Sequence, residues 1–350
     1  MTSNGSELDT LGFTAFFASQ LPLDADGEFP ARVVGVERSG LLLQTPDRTF
    51  SAPLGSRWFQ DGAEHRPTVG DWVRVEAGTD RPLACLERQS LFQRRAVDGD
   101  VQLVAANVDV ALLVSACNRE FNVARLERYL AITHEAGAQP VVVLTKADEA
   151  EDPWVYADQV RALDAALPVE VVNGLDPWTL DGVRAWCAAG TTVALLGSSG
   201  VGKSTLVNGL AGRALAETGA AREADARGRH TTTQRALYRL PEGAWVLDSP
   251  GMRELGLVDA EAGLRTTFAE IEELARACRF GDCAHEGEPG CAVAQAIENG
   301  ELDAGRLQRY RKLLREERHA TESIAARRAR HRQFEKHVRR VVGEKQSRRR

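Results

Sequence analysis

From residue 108 onward, wholly apolar runs alternate with amphipathic stretches. The runs "VDVALLVSA", "QPVVVLTKAD", "PVEVV" and "TTVALLG" are apolar at successive positions, whereas "NVARLERYLAITHEAG", "PWVYADQVRALDAAL" and "PWTLDGVRAWCAA" space their apolar residues as helices do. Strands apolar on both faces, each followed by a helix, predict a parallel sheet covered on two sides. A further helix is expected from Lys203, and two more strands, "RALYRL" and "AWVLD", precede residue 249.

Upstream the pattern shortens to β-rich runs. Between about 30 and 95 lie "ARVVGVER", "GLLLQTP", "RTFSAPL", "GDWVRVEAG" and "LACLERQS", separated by Gly, Pro and Asp turn signals. Five strands in so short a stretch predict a small β-barrel, and the oligonucleotide-binding (OB) barrel is the commonest of that size. Residues 1–29 read as a polar leader with a short apolar helix around "FTAFFASQL", a packing element. Beyond about 260 the chain reads as helical, interrupted by a Cys/His knot. The expected organisation is a leader (1–29), an OB-like barrel (30–95), a central α/β domain (96–260), a helical domain carrying the knot (261–320) and a basic helical tail (321–350).

Charge adds a polarity to this plan. The net formal charge is -6, yet residues 306–350 hold 17 Lys/Arg against 5 Asp/Glu, leaving 27 against 45 elsewhere. A polyanionic partner should meet the C-terminal end. No apolar run is long enough to span a bilayer, and the first 30 residues lack a basic start followed by an apolar stretch, so a cytoplasmic protein is expected. Of six cysteines, Cys85, Cys117 and Cys187 are scattered, while Cys278, Cys283 and Cys291 cluster with His285. That usage points to a reducing compartment and a metal rather than a disulfide framework.

The chemistry begins at "LLGSSGVGKSTL". Gly197-Ser198-Ser199-Gly200-Val201-Gly202-Lys203-Ser204 fits G-x-x-x-x-G-K-[ST] between a predicted strand and helix, with Thr205 the next residue of the phosphate-binding segment. The glycines let backbone N–H groups turn inward around a β-phosphate at a helix N-terminus. Lys203 would bridge the β- and γ-phosphates and Ser204 would hold Mg²⁺. Asp248-Ser249-Pro250-Gly251 follows a strand, where a carboxylate reaches the Mg²⁺ shell and the glycine N–H approaches the γ-phosphate. Between the two, "GRHTTT" offers hydroxyls for a γ-phosphate sensor; Thr232 is singled out, with Thr231 and Thr233 as alternatives.

A base reader stands at "TKAD", upstream of the phosphate loop instead of downstream. Asp148 would accept from guanine N1–H and the 2-amino group, donors that adenine lacks, and Lys146 would lie along base and ribose. Such an order is acceptable if the strand–helix pieces keep their places in the sheet while the chain is cut and rejoined elsewhere.

Base reader, P-loop, switch loop and D-x-x-G in that order resemble the circularly permuted GTPases. With "GRHTTT", "DSPGMRELGL", "PTVGDWV" and the knot, the sequence closely resembles the ribosome small-subunit-dependent GTPase A family (RsgA, also called YjeQ) over about 30–320. The resemblance implies a GTP hydrolase that docks on the small ribosomal subunit and its rRNA late in assembly and leaves after hydrolysis, most simply as a monomer. Two positions depart from the family pattern. Thr145 stands where Asn usually braces the base loop, which predicts weaker guanine preference, and Asn173 stands where a Ser-Ala pair usually supports the base.

Met252 follows Gly251 where Ras-like enzymes carry a water-orienting Gln. Slow intrinsic turnover is expected, and His230 is the nearest catalytic candidate in sequence, the alternative being a histidine satisfied within its loop. Cys278-x4-Cys283-x-His285-x5-Cys291 supplies a closed Cys₃His set, the signature of one structural Zn²⁺ with no place for water. The basic tail reads either as a solvated helix or as a row of RNA phosphate contacts. Two other readings compete with the GTP hydrolase: a nucleotide-regulated RNA-binding protein with incidental hydrolysis, and a P-loop ATPase or small-molecule kinase, which Asp148 and the barrel disfavour.

Overall fold

The computed structural model describes residues 4–22, 27–37, 40–60, 65–95, 101–215, 235–248, 252 and 255–321. The chain forms two compact units, Met1–Arg94 with Val101–Gly256, and Arg95–Asp100 with Leu257–Arg350.

The first unit is built on one mixed sheet. Its nucleotide half orders β10 (Val169–Val171), β9 (Gln139–Thr145), β8 (Val110–Ala116), β11 (Thr192–Leu196), β13 (Trp245–Asp248) and β12 (Arg235–Arg239). The first five run parallel and β12 closes antiparallel on β13. Every residue of β8 and β11 is buried, as strands covered on both faces require. Leu112, Val114, Val143, Val193 and Leu195 pack there with Leu206 and Leu210 of α6 (Lys203–Ala211). Helix α3 (Val123–Ala136) is capped by Asn122, which accepts from Arg125 N at 3.0 Å, and closes on Gly137 in the left-handed conformation.

Two of the expected helices are shorter than their apolar spacing suggests. The helix over 153–167 is confined to α4 (Trp154–Arg161), because the Asp164 carboxylate takes the Ala166 N–H at 2.8 Å and turns the chain. Over 177–189, Asp176 caps a 3₁₀ turn, Pro177–Leu180, and α5 spans only Asp181–Ala185. A two-stranded sheet of β6 (Leu91–Arg95) and β7 (Val101–Ala106) stands where a domain boundary was drawn.

The N-terminal strands are β1 (Glu28–Val36), β2 (Gly40–Gln44), β3 (Thr49–Pro53), β4 (Trp72–Glu76) and β5 (Arg81–Cys85). They pair antiparallel in the order β3-β2-β1-β4-β5 around Ala31, Val33, Leu41, Leu43, Val73 and Val75. The far end of β1 also pairs with β12, through Gly35↔Ala236 and Val36↔Arg235. These N-terminal strands and the nucleotide sheet thus share one continuous ladder.

Arg32 fastens this junction. It is 1% exposed, donates to the Leu11 carbonyl and to Thr192 Oγ1 at the start of β11, and lies 5.8 Å from the Trp72 ring and 5.7 Å from the Trp245 ring. Burial lowers its pKa to about 10, partly offset by Asp109, so it remains a cation at neutral pH. The leader packs on the same spot, with the Phe13 and Trp72 rings 4.7 Å apart and Phe17 buried beside them. No described helix is long and apolar enough to cross a membrane. Replacing Arg32 with Met takes this buried donor from the Leu11 carbonyl and the Thr192 hydroxyl. Urea unfolding of Arg32→Met should show a loss of about 2–4 kcal/mol.

Candidate functional site

The parallel strands end along one edge, where an α/β sheet places its ligands. β11 ends at Leu196 and the phosphate loop follows. Gly197 has φ +155°, and a Cβ there would fall 2.4 Å from the Val114 carbonyl of β8, so no side chain fits. Gly202, with φ +95°, turns the chain into α6. Lys203 is buried, and its ammonium donates to the carbonyls of Gly197 at 2.7 Å and Ser198 at 2.5 Å. It is thereby folded across the mouth of its own loop. Ser199 and Gly200 are exposed at the loop's crest, while Ser204 and Thr205 are half-buried in the first turn of α6.

The base loop meets this segment directly. Thr145, the last residue of β9, is buried, and its hydroxyl lies 2.5 Å from the Val201 carbonyl and 3.1 Å from that of Ser115. A Cβ on Gly202 would sit 3.4 Å from the same hydroxyl. Residues 145 and 201 are therefore adjacent in space although far apart and inverted along the chain. Where an Asn amide would brace the loop, a threonine hydroxyl makes the brace to the P-loop backbone.

Lys146 takes the left-handed conformation, φ +57°, and starts the 3₁₀ turn Ala147–Glu149 that carries Asp148 outward into solvent. Its ammonium pairs with Glu149 at 3.3 Å, and Asn118 donates to the other Glu149 oxygen at 2.7 Å. These hydrogen bonds, Asn118 foremost, hold the Glu149 carboxyl below its ordinary range. The adjacent strand end joins through Ala147 N, which donates to Val172 O at 3.2 Å. Asn173 uses its own amide oxygen to accept Leu175 N at 3.0 Å, shaping the turn. Its neighbour Gly174 lies so close to α6 that a Cβ would be 3.4 Å from Thr205 Cγ2.

Asp248 ends β13 opposite Ala236. Its side chain, together with His230, Thr231, Thr232, Thr233 and Gly251, lies outside the described residues. Met252 is 1% exposed and packed, so it presents nothing to a water molecule. One contact had no signal in the sequence: Arg125 of α3 donates to Ser198 Oγ at 2.8 Å. Nothing in "NVARLERYL" distinguishes Arg125 from Arg128, because only the three-dimensional placement of α3 turns one of them toward the loop.

The second unit gathers the four knot residues. Their ligand atoms all lie within 4.8 Å of one another, with Cys278 Sγ to Cys291 Sγ 3.9 Å, Cys278 Sγ to His285 Nδ1 3.6 Å and Cys291 Sγ to His285 Nδ1 3.4 Å. A tetrahedral Zn²⁺ bound at ordinary lengths separates two sulfurs by about 3.8 Å and sulfur from nitrogen by about 3.6 Å. The set fits that ion. Glu288 accepts from Ala284 N at 2.9 Å and Glu286 N at 2.6 Å, bracing the turn that bears His285.

Helices α7 (Glu261–Thr267), α8 (Ala269–Arg276), α9 (Ala292–Glu298) and α10 (304–321) surround the knot. Arg306 clamps them, donating to Glu270 at 2.6 Å and to Thr267 O at 2.8 Å over the buried Phe268 ring. Arg311 reaches Ala284 O at 2.7 Å and ties α10 to the knot. A groove of about 870 Å³ runs between them, lined by Cys283, His285, Arg311, Lys312, Arg315 and Arg318 among others.

Comparison with known proteins bears on both units. A family model described as RsgA GTPase matches residues 85–258. The chain is 46% identical to a Vibrio parahaemolyticus protein named small ribosomal subunit biogenesis GTPase RsgA 2, over 99% of this chain and 96% of that one. A protein of Mesorhizobium japonicum named small ribosomal subunit biogenesis GTPase RsgA is 48% identical over 92% of this chain and 93% of its own. Among solved structures, YjeQ from Thermotoga maritima has a TM-score of 0.62 at 24% identity, covering 82% of this chain and 99% of that one. YloQ, described as a circularly permuted GTPase, has a TM-score of 0.59 at 23% identity, covering 85% and 97%. These last two similarities show the fold.

Two outcomes test the site. Thr145→Val removes the hydroxyl tie at nearly constant volume and should weaken guanine-nucleotide binding about 5- to 30-fold, as read by displacement of a fluorescent GDP, whereas Thr145→Asn should stay within a few-fold of the parent. Stripping metal with a chelator should release one zinc per chain by elemental analysis and abolish the helical signal of 261–321, and Cys283→Ser should do the same.

Proposed function

The chain belongs to the RsgA GTPase family, and from that premise we propose that it hydrolyses GTP while docked on the small ribosomal subunit late in that subunit's assembly, and leaves after turnover. The observation that carries this reading is the Thr145–Val201 contact at 2.5 Å. It supports the reading that "TKAD" and the phosphate loop serve one site, in which a single purine triphosphate would span Asp148 and Lys203.

The roles follow from position. Thr145, Lys146, Asp148 and Asn173 form the base end, with Asp148 free in solvent to accept two guanine donors that adenine lacks. Gly197 to Thr205 form the phosphate end, where Lys203 would exchange its two carbonyl partners for the β- and γ-phosphate oxygens. Ser204, Thr232 and Asp248 would hold Mg²⁺, which neutralises charge on those oxygens when bound. Met252 is packed away from water, and this reading assigns turnover to His230, the nearest candidate in sequence.

Two described surfaces and the sequence of the tail support an RNA partner. The groove beside the knot is lined by Arg311, Lys312, Arg315 and Arg318, the sequence beyond residue 321 adds further cations, and the turn after β3 exposes Phe59 with the Arg66 guanidinium 4.9 Å from its ring. Such contacts suit phosphates and stacked bases. The division into leader (1–29), barrel (30–95), GTPase domain (96–260), zinc domain (261–320) and tail (321–350) is part of this reading, as are a structural Zn²⁺, a cytoplasmic location and a monomeric state. The chain leaves the nucleotide sheet at Asp248 and enters the second unit at Leu257, so a γ-phosphate-dependent movement of 249–256 would be felt there first.

GTP hydrolysis measured with and without purified small subunits tests the reading. Subunits should raise turnover at least tenfold and free rRNA should not; ATP should fail to displace labelled GTP; His230→Ala should lose the stimulation and keep GTP binding. Turnover unchanged by subunits would leave an RNA-binding module with incidental hydrolysis, and equal competition by ATP would leave an ATPase.

A further inference from the structure

Arg125 is the third residue of α3, in the turn where a cation works against the helix dipole. The helix does not need its side chain there, because the cap is made by the Arg125 backbone N–H on Asn122 at 3.0 Å. The half-buried guanidinium instead crosses to the phosphate loop and donates through Nη1 to Ser198 Oγ at 2.8 Å. Ser198 is held a second time, by Lys203 Nζ on its carbonyl at 2.5 Å. Two cations from elements distant in the chain therefore converge on one residue of the loop, the residue that leads into the exposed crest at Ser199 and Gly200.

We infer that Arg125 is a positioning residue for the γ-phosphate: acting through Ser198, it fixes the first arm of the phosphate loop and sets a second positive charge beside Lys203. The inference rests on the nucleotide site proposed above and goes beyond it, since neither the P-loop pattern nor the base reader contains this residue. A fixed cation near the loop favours the more highly charged ligand, and its partial burial weakens screening by salt. The consequence is discrimination: Arg125 favours triphosphate over diphosphate, whereas an arginine that merely fastened α3 to the loop would affect both alike.

The full chain decides between these roles. Competition against a fluorescent GDP gives the affinities for GDP and for a non-hydrolysable GTP analogue in the parent, Arg125→Ala, Ser198→Ala and the double variant, each checked by thermal melting. Arg125→Ala should weaken the analogue about tenfold more than it weakens GDP, Ser198→Ala about threefold more, and the double variant should be no worse than Arg125→Ala. An analogue-to-GDP ratio unchanged in either single variant overturns the inference, whatever happens to melting temperature. Should Arg125→Ala fail to fold, the Ser198→Ala ratio decides alone. Failure of the parent to bind either nucleotide would instead reject the site itself.

Discussion

A single threonine hydroxyl joins the two halves of the nucleotide site. Thr145 Oγ1 lies between the carbonyls of Ser115 and Val201, so the ends of β8 and β9 and the phosphate loop after β11 are fastened at one point. A parallel sheet makes this inevitable in outline, because all its strands deliver their following loops to the same edge. Which loops face each other depends on strand order in space, β10-β9-β8-β11-β13, and not on order in sequence. That is why a chain can carry the proposed base reader before its phosphate loop and still bring the two to one edge. The constraint is the sheet; the cut in the chain is incidental to it.

Much of this was legible before any coordinates. Strands buried on both faces announce themselves as unbroken apolar runs, and "VALLVSA", "VVVLT" and "TVALL" lie where β8, β9 and β11 stand. The knot was readable because thiolates and imidazole at that spacing have few other uses. What failed to show was decided by side chains competing with the backbone or by long-range pairing. Asp164 ended α4 through one hydrogen bond that no periodicity encodes. β6 and β7 pair across the point at which composition suggested a boundary. The Thr145 contact was hidden for a different reason: the residue type read only as a departure that predicts weaker guanine preference, and its closeness to Val201 depends on the placement of β9 beside the phosphate loop.

The two units hold themselves together by different physics. The first has a sheet long enough to bury a large apolar core, and it buries the Arg32 cation at its junction with the N-terminal strands at the cost of desolvation. The second buries a smaller apolar set, Leu264, Phe268, Ile271, Val293, Leu307 and Leu313 among it. Arginines add to it: Arg306 spans Glu270 and Thr267, and Arg311 pins α10 to the turn between Cys283 and His285. A metal in the knot would close the remaining freedom, since four ligands fix a loop that has no core of its own.

The continuous ladder limits how a signal leaves the nucleotide. β12 is paired on one edge with β1, through Val36↔Arg235 and Gly35↔Ala236, and on the other with β13, through Ala236↔Asp248. Residue 236 thus sits between β1 and the strand end that carries the proposed magnesium carboxylate. A shift of β12 by one residue would turn every side chain on it to the opposite face, so this strand does not slide. A response to loss of the γ-phosphate that keeps this register would run along the chain after Asp248 or move the N-terminal strands and the nucleotide sheet together. A response confined to the chain after Asp248 would leave every pairing of this ladder intact.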